Sequence, residues 1–455
     1  MPGAHRSAAG PPSTRLLRDL ALTRLVTAAV ADDVRGRVRR RRGADPEVVR
    51  RELRTRNADR TRATLGELKG GALKAGQLLA TVQALLPADP DAVWADALDA
   101  LVADAGAVGF EGLAGVLRED LGPHWRTLFR SFDEEAVAAA SLGQVHRARW
   151  SDGRDVAVKI QYPGVARALA GDLRAVSTAT RLVGLVARGL ALPPLVAELR
   201  TRLAAELDYR REASSQRAFA LSYAADPDVA VPAVVHATGR VLVGEWLPGR
   251  PLAALARSGS QELRDRVGEL FQRFLLSGPA RVGLLYTDPH PGNVRVLDDG
   301  RLGILDFGST LALPGGMPPT FGRLLRALLA GDPAAVGERL RADGLLDPTS
   351  AVDLVRLTDY LAPFTVPAAH DRWTYTPEWL HEQFGRLGDP RDPDFAVALR
   401  LRLPPEHLFT QRVWLAVVGI LCQLRATVPV APELARWLPV FAPVASGAGP
   451  RPTRP

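Results

Sequence analysis

The chain has 455 residues, 47% of them hydrophobic and 24% charged, a globular composition long enough for a two-lobed catalytic domain with extensions. Its one cysteine, Cys422, rules out an intrachain disulfide framework and suits a reducing compartment. The formal charge of +8 admits three partners or causes, namely nucleic acid, an anionic membrane surface or a merely arginine-rich exterior.

Residues 1–62 read as a basic arm, with an arginine cluster from Arg39 to Arg42 and one apolar-periodic stretch from Leu16 to Val30. The arm lacks the uninterrupted apolar core and small-residue cleavage site of a signal peptide, so a retained N-terminus and a cytoplasmic protein are expected. Such an arm reads either as a solvated or partly disordered extension or as a peripheral contact with anionic lipid at the inner face of a membrane. Residues 63–130 have helical period, broken between Pro87 and Pro90 and again at Gly122-Pro123.

The texture then changes. Strands are predicted over Val145–Trp150 and Asp155–Gln161, joined by Ser151-Asp152-Gly153, an Asp-Gly hairpin signal. A long helix is predicted from Leu195 to Ala224, followed by strands over Val229–Ala237 and Arg240–Trp246 and a hinge at Leu247-Pro248-Gly249. Residues 131–248 thus form a small, mostly antiparallel β lobe with one large helix. Residues 249–345 form a mainly helical second lobe, in which Val267, Leu270, Phe271, Phe274 and Leu275 mark one buried helix face. Residues 346–455 read as a helical region and tail. The uncharged stretch Val413–Leu424 is far short of the roughly 20 residues a spanning helix needs, so no transmembrane segment is expected. The fold class is α+β, a two-lobed protein-kinase-like arrangement with an N-terminal helical extension.

Only three of the 58 basic residues are lysine: Lys69, Lys74 and Lys159. A retained lysine suggests that a compact ammonium is required where an arginine fork would not serve. Lys159 closes Val156-Ala157-Val158-Lys159 on the second hairpin strand, on the same face as Ala157. On an inward face its ammonium demands an anionic partner, for which Glu206 on the following helix is the protein-side candidate. Asp208 and Glu212, four residues apart, share a helix face, so either could meet Lys74 while Glu206 meets Lys159, a division of partners that spacing leaves open. Glu245, at the end of the strand before the hinge, is assigned to the nucleotide.

The densest chemistry lies in Asp288-Pro289-His290-Pro291-Gly292-Asn293, strand Val294–Leu297, turn Asp298-Asp299-Gly300, strand Arg301–Leu305 and then Asp306-Phe307-Gly308. A tight hairpin returns the chain to its start, so Asn293 and Asp306 should share one end. An amide and a carboxylate oxygen there suit Mg2+ (or Mn2+) with ATP or ADP, leaving Asp288 to orient a nucleophile. His290 is expected to bond within its own loop, because no second His or Cys stands at ligand spacing. Where a glycine-rich phosphate cover belongs, the chain reads Ala138-Ala139-Ala140-Ser141-Leu142-Gly143-Gln144, whose methyl groups should stiffen it. After Gly308 the sequence reaches Pro314-Gly315-Gly316 and a helix from about Pro319, leaving little room for a peptide-docking platform, and no Ala-Pro-Glu follows.

These residues resemble the UbiB, or AarF-type, family of atypical kinases from about Leu65 to beyond Gly308. The resemblance rests on Lys74-Ala75-Gly76-Gln77, the alanine-rich Ala138–Ser141, Glu206-Leu207-Asp208 and Asp288–Asn293. It implies that the Lys-x-Gly-Gln helix folds over the site, with Lys74 and Gln77 near the nucleotide and Asp208 or Glu212 meeting Lys74. It also implies ATPase or restrained kinase activity tied to isoprenoid-lipid or quinone metabolism, often at a membrane. Two other readings are a small-molecule phosphotransferase of the aminoglycoside or choline type and a nucleotide-sensing scaffold. A nucleic-acid partner is not expected, since the arginine arm lacks interleaved aromatics.

Overall fold

The computed structural model describes residues 109–140, 142–167, 207–388, 397, 400–401 and 405–441. The basic arm, nearly all of the helical extension, Lys74, Gln77, Ser141 and Glu206 lie outside them. The chain divides into two compact units, the first including Asp89–Arg211 and Val235–Gly244, the second including Glu212–Val234 and Glu245–Pro455.

In the first unit, helix α1 (Phe110–Leu121) precedes strands β1 (Phe129–Ala140), β2 (Gly143–Trp150) and β3 (Asp155–Gln161). The Asp-Gly signal was sound: β2 and β3 pair antiparallel from Gly143↔Gln161 to Arg149↔Asp155, and Gly153 takes the left-handed φ of 100° that the turn needs. Val156, Val158 and Ile160 alternate into a core with Leu113 and Leu117 of α1 and with Val241 and Val243. Asp120, near the end of α1, accepts from the Thr238 hydroxyl at 2.6 Å and pairs with Arg240, tying the helix to a turn of the sheet.

Strand β1 was not anticipated; residues up to Phe129 were expected to be helical, and Ala138–Gln144 to be a phosphate-covering loop. Its sequence, FRSFDEEAVAAA, is poor in β-branched residues, and its pairing with β2 shifts register at three places. What holds it is aromatic: Phe129, Phe132, Trp125, Trp150 and Phe110 meet at ring-centroid distances of 5.0–6.2 Å. His146 stacks on Phe132, fully buried, and bonds through Nδ1 to the Asp133 carbonyl at 3.0 Å.

The expected strand Val229–Ala237 is two strands that belong to different sheets, broken at Pro232, which has no N–H to give a ladder. Strand β4 (Val229–Ala230) lies parallel to β10 (Leu302–Ile304) in a four-stranded sheet of order β4-β10-β9-β7, with β7 Arg250–Pro251 and β9 Val294–Val296. Strands β5 (Val234–Ala237) and β6 (Val241–Glu245) complete the five-stranded sheet β1-β2-β3-β6-β5.

Helix α2 (Tyr209–Ser222) starts in the first unit and runs on into the second. The second unit then contains helices α3 (Leu252–Ser258) and α4 (Gln261–Val282) and the strand pair β8 (Leu284–Tyr286) and β11 (Thr310–Ala312). Ser260 caps α4 by accepting from Leu263 N–H, and left-handed Gly283 ends it. All five residues predicted for the apolar face of α4 are buried in the main core of this unit. Beyond it stand α5 (Pro319–Ala330), α6 (Pro333–Ala342), α7 (Leu354–Thr365), β12 (Arg372–Thr374), α8 (Pro377–Gly388), α9 (Pro405–Leu424), β13 (Thr427–Pro429) and α10 (Ala431–Trp437). Cys422 of α9 is buried, which pushes its thiol up to about 12. Among the described residues no helix is long and apolar enough to cross a membrane.

Candidate functional site

The second unit assembles the metal and catalytic candidates. Strands β9 and β10 pair as Val294↔Ile304 and Val296↔Leu302, and the ladder extends one step further, with Leu305 N–H donating to the Asn293 carbonyl at 2.8 Å. Asn293 therefore stands opposite the residue preceding Asp306, and the two candidate ligands share one end of the hairpin as their spacing required. The far end is closed by Asp298-Asp299-Gly300, with Gly300 at φ 85°.

A second tie joins the loops around this hairpin. Strand β8 leads into Asp288 and β11 follows Gly308, and the two pair antiparallel through Tyr286↔Thr310. Thr287 donates its N–H to the Ser309 carbonyl at 3.1 Å, and the Thr287 and Ser309 hydroxyls meet at 2.7 Å. The loop beginning at Asp288 and the one beginning at Asp306 are thus bound together on both sides. Strand β11 was missed from sequence, being a three-residue segment with no alternation long enough to count.

Asn293 Nδ2 donates to the Asp288 side chain (Oδ2, 3.2 Å) and lies 3.3 Å from its carbonyl oxygen. Asp306 adopts a left-handed φ of 57°, and its Oδ1 accepts from Gly308 N–H at 3.2 Å. A non-glycine residue in that conformation is held against its own preference, as is common where backbone geometry serves a site. His290 is exposed and its Nδ1 accepts from Gly292 N–H at 3.0 Å, the local bond expected of it.

Glu212 also belongs here. It is buried on α2, and a Cβ placed on Gly308 would lie 3.3 Å from Glu212 Oε2 and 3.1 Å from Asp306 Oδ1. Glycine at 308 is what lets the two carboxylates flank the Asp-Phe-Gly turn. Tyr286, wholly buried below, has its hydroxyl pushed well above the ordinary range by burial and then by the charges of Asp288 and Asp306, with Glu212 adding to them. Sequence reasoning grouped Glu212 with Asp208; the only signal for its true neighbours was its place one helical turn into α2.

In the first unit, Lys159 lies opposite Val145 on β3, on the same face as Ala157. That face is partly exposed, whereas Val156, Val158 and Ile160 fill the core, so the lysine is not on the strand's inward apolar face. Its Nζ stands 5.1 Å from the centroid of Tyr209, the first residue of α2. Asp208 does not share a helix face with Glu212: it precedes the first helical residue, and its Oδ1 accepts from Arg210 N–H at 3.1 Å. An aspartate at this place satisfies an orphan donor of the first turn, and that bond competes with continuing the helix backwards. Ala138, Ala139 and Ala140 are not a loop. They end β1 and pair with Val145, Gln144 and Gly143. Glu245, which belongs to the second unit, accepts from Ala233 N–H through Oε2 at 3.2 Å.

Among the described residues, no three or more His, Cys, Asp or Glu side chains group as a metal cage. The donor set instead combines one amide and one carboxylate at a hairpin end, which suits a hard cation completing its shell with phosphate and water, as Mg2+ does.

A family model described as the ABC1 atypical kinase-like domain matches residues 101–340. The chain belongs to that family. ABC1-type relatives include atypical kinase coq-8, mitochondrial, of Caenorhabditis elegans, 31% identical over 297 residues, which are 64% of this chain and 39% of the relative. Atypical kinase COQ8, mitochondrial, of Saccharomyces cerevisiae is 33% identical over 260 residues, 56% of this chain and 50% of the relative. The matches therefore span half or less of these two relatives' own length. Among solved structures, the complex of Rv3197 with erythromycin from Mycobacterium tuberculosis aligns with a TM-score of 0.67 at 37% identity, covering 87% of this chain and 99% of that one. The kinase-like α+β fold and the UbiB resemblance read from the motifs agree with these matches.

Proposed function

We propose that this chain is a Mg2+-dependent, ATP-binding atypical kinase or ATPase of UbiB type. The observation that carries the reading is the Leu305-to-Asn293 backbone bond at 2.8 Å, which puts Asn293 and Asp306 side by side with Asp288 bonded to the Asn293 amide. In this reading Asn293 Oδ1 and the Asp306 carboxylate hold the cation, whose charge would offset that of the phosphates. Asp288 accepts the proton of an attacking hydroxyl or water, and Lys159 takes the α- and β-phosphates by resemblance to the kinase arrangement. The short run from Gly308 to the helix at Pro319, with β11 paired inside it, favours a small or lipid-like acceptor over a protein. Isoprenoid-lipid or quinone metabolism is the role the family resemblance suggests, and an anionic membrane surface the place.

Thermal shift with ATP or ADP tests the site directly: stabilisation should require Mg2+ or Mn2+. Asp306→Asn should remove that requirement together with most of the binding. Asp288→Asn should keep nucleotide binding and lose turnover by about a hundredfold, the scale of a lost general base. Unchanged ATPase in both variants would sink the enzymatic reading and leave the scaffold. ATPase measured with and without anionic vesicles and a quinone-like phenol separates a lipid-coupled enzyme from one that ignores lipid.

A second reading has a specific support in the erythromycin complex of the solved relative. Binding of a macrolide by this chain would appear as stabilisation by erythromycin in the absence of nucleotide.

A further inference from the structure

We propose that Gln161 is a positioning residue for Lys159, its buried amide fastening the start of α2 to the end of β3 so that the Tyr209 ring is held against the lysine ammonium. This role rests on the reading of Lys159 as the phosphate-binding cation, and it brings in two residues which that reading does not use.

Alternation along β3 sends Ala157, Lys159 and Gln161 to one face of the strand. Lys159 is half-buried there, whereas Gln161 is 1% exposed. An apolar side chain of the same length would fill that space without polar atoms to satisfy, so the amide calls for a reason. Gln161 Nε2 donates to the Leu207 carbonyl at 3.0 Å and to the Gly239 carbonyl at 3.3 Å. Leu207 is the middle residue of Glu206-Leu207-Asp208 and stands two places before the first residue of α2, while Gly239 is in the turn between β5 and β6.

The Gly239 carbonyl also accepts from Tyr209 N–H at 2.9 Å, one of the first-turn donors that a helix cannot satisfy by itself. Gln161 N–H in turn donates to the Arg240 carbonyl at 2.9 Å. The turn that receives these bonds is anchored on α1, where Asp120 accepts from the Thr238 hydroxyl and from Arg240. The start of α2 is thus held at Leu207 by a side chain of β3, and at Tyr209 by a turn that the same side chain grips. Tyr209 is 3% exposed, and its ring centroid stands 5.1 Å from Lys159 Nζ, within the range of a cation–π contact. A lysine carries its charge on a flexible four-carbon stem, so a fixed ring beside it narrows the positions that the ammonium takes before phosphate arrives. In protein kinases the placement of the helix beside this lysine is a point of control; here Gln161 makes the start of that helix part of the sheet.

The test is a double-mutant cycle in the full chain, with calorimetric titration of ADP and of adenosine, which differ only in the phosphates that Lys159 would hold. Gln161→Met keeps the length of the side chain and removes its donors, Lys159→Met removes the ammonium, and Val158→Ala loosens the same strand from its other face. Gln161→Met should weaken ADP about tenfold, the worth of one charge-assisted bond, and adenosine by less than about twofold. Added to Lys159→Met it should weaken ADP no further, because it acts through the lysine. Val158→Ala should lower the melting temperature and leave the ratio of ADP to adenosine affinity where it was. Tyr209→Leu, which removes the ring and spares the amide, should reproduce the loss of ADP affinity, and it carries the test if Gln161→Met does not fold. An unmoved ratio in either variant, a ratio moved as far by Val158→Ala, or full additivity with Lys159→Met overturns the proposal. If Lys159→Met binds ADP as tightly as the wild type, the phosphate reading of Lys159 fails instead, and that single variant tells the two failures apart.

Discussion

Gly308 and Asp306 divide the work of the Asp-Phe-Gly turn. The aspartate takes the strained φ of 57°, while the glycine leaves room for two carboxylates at 3.1 and 3.3 Å from where a methyl would stand. Gly308→Ala is compatible with its backbone but must push Asp306 or Glu212 aside, so Mg2+-dependent ADP stabilisation should weaken by about tenfold, roughly 1.4 kcal/mol. Calorimetric titration of both proteins checks it. His146 carries a different expectation. Burial lowers its pKa against the opposing pull of the Asp133 carbonyl and the Asp133 and Glu134 charges, so it is neutral in the native fold and gains a proton on unfolding below its ordinary value of 6.5. Stability from this group is complete above that pH and falls away as the medium becomes more acid. In His146→Gln, which can still donate to the Asp133 carbonyl but cannot titrate, acid unfolding of the first unit should begin at lower pH. At this scale Asp288, Asn293 and Asp306 were legible because short-range geometry alone brings them together. Glu212 and Tyr286 were not, since their neighbours are set by how α2 and β8 pack, which no local spacing encodes.

The β2–β3 hairpin was the clearest element in the sequence and β1 the least visible, although the two pair along most of their length. Asp-Gly and alternating valines announced the first, whereas β1 is stabilised by aromatic neighbours contributed from other segments. Gly143 is where they meet: it pairs with Ala140 on one side and Gln161 on the other, and a Cβ there would overlap the Ile160 carbonyl oxygen. Gly143→Ala should cost about 3 kcal/mol by forcing the strands apart, near the upper end for overpacking, and chemical denaturation monitored by tryptophan fluorescence measures it. Ala139→Gly is the milder counterpart. Its backbone is in the ladder opposite Gln144, so adding flexibility there should alter the ratio of ATP to ADP affinity with a stability loss of about 1 kcal/mol. The alanine run is thus held as strand residues are, by pairing with β2.

Each unit owns its core: Val156, Val158 and Ile160 with α1 in the first, and Phe271, Phe274 and Phe307 with the helices around α4 in the second. Truncating one core should therefore register mainly in its own unfolding step. Phe271→Ala, fully buried, is expected to lose about 3–5 kcal/mol and to lower the component of the calorimetric trace that coincides with exposure of the Cys422 thiol. Val158→Ala should lower the other component and leave thiol exposure where it was. The sequence also made the α+β class and the kinase-like order of motifs readable, because each motif sits at an element boundary marked by its own turn residues.

The β9–β10 hairpin has one further consequence. Its chemistry is at the end formed by Asn293 and Leu305, and its turn, Asp298-Asp299-Gly300, is at the other, with only the ladder between. The hairpin is in effect a handle, and the two ends answer to different rules of editing. Extra glycine and serine inserted at the turn leave every rung in place, so a reporter dye or peptide tag there should be carried without loss of metal-dependent nucleotide binding. One residue inserted between Val294 and Val296 would turn the strand over and separate Asn293 from its rung, and binding should vanish. Length at this locus is free to vary in one place and forbidden a few residues away.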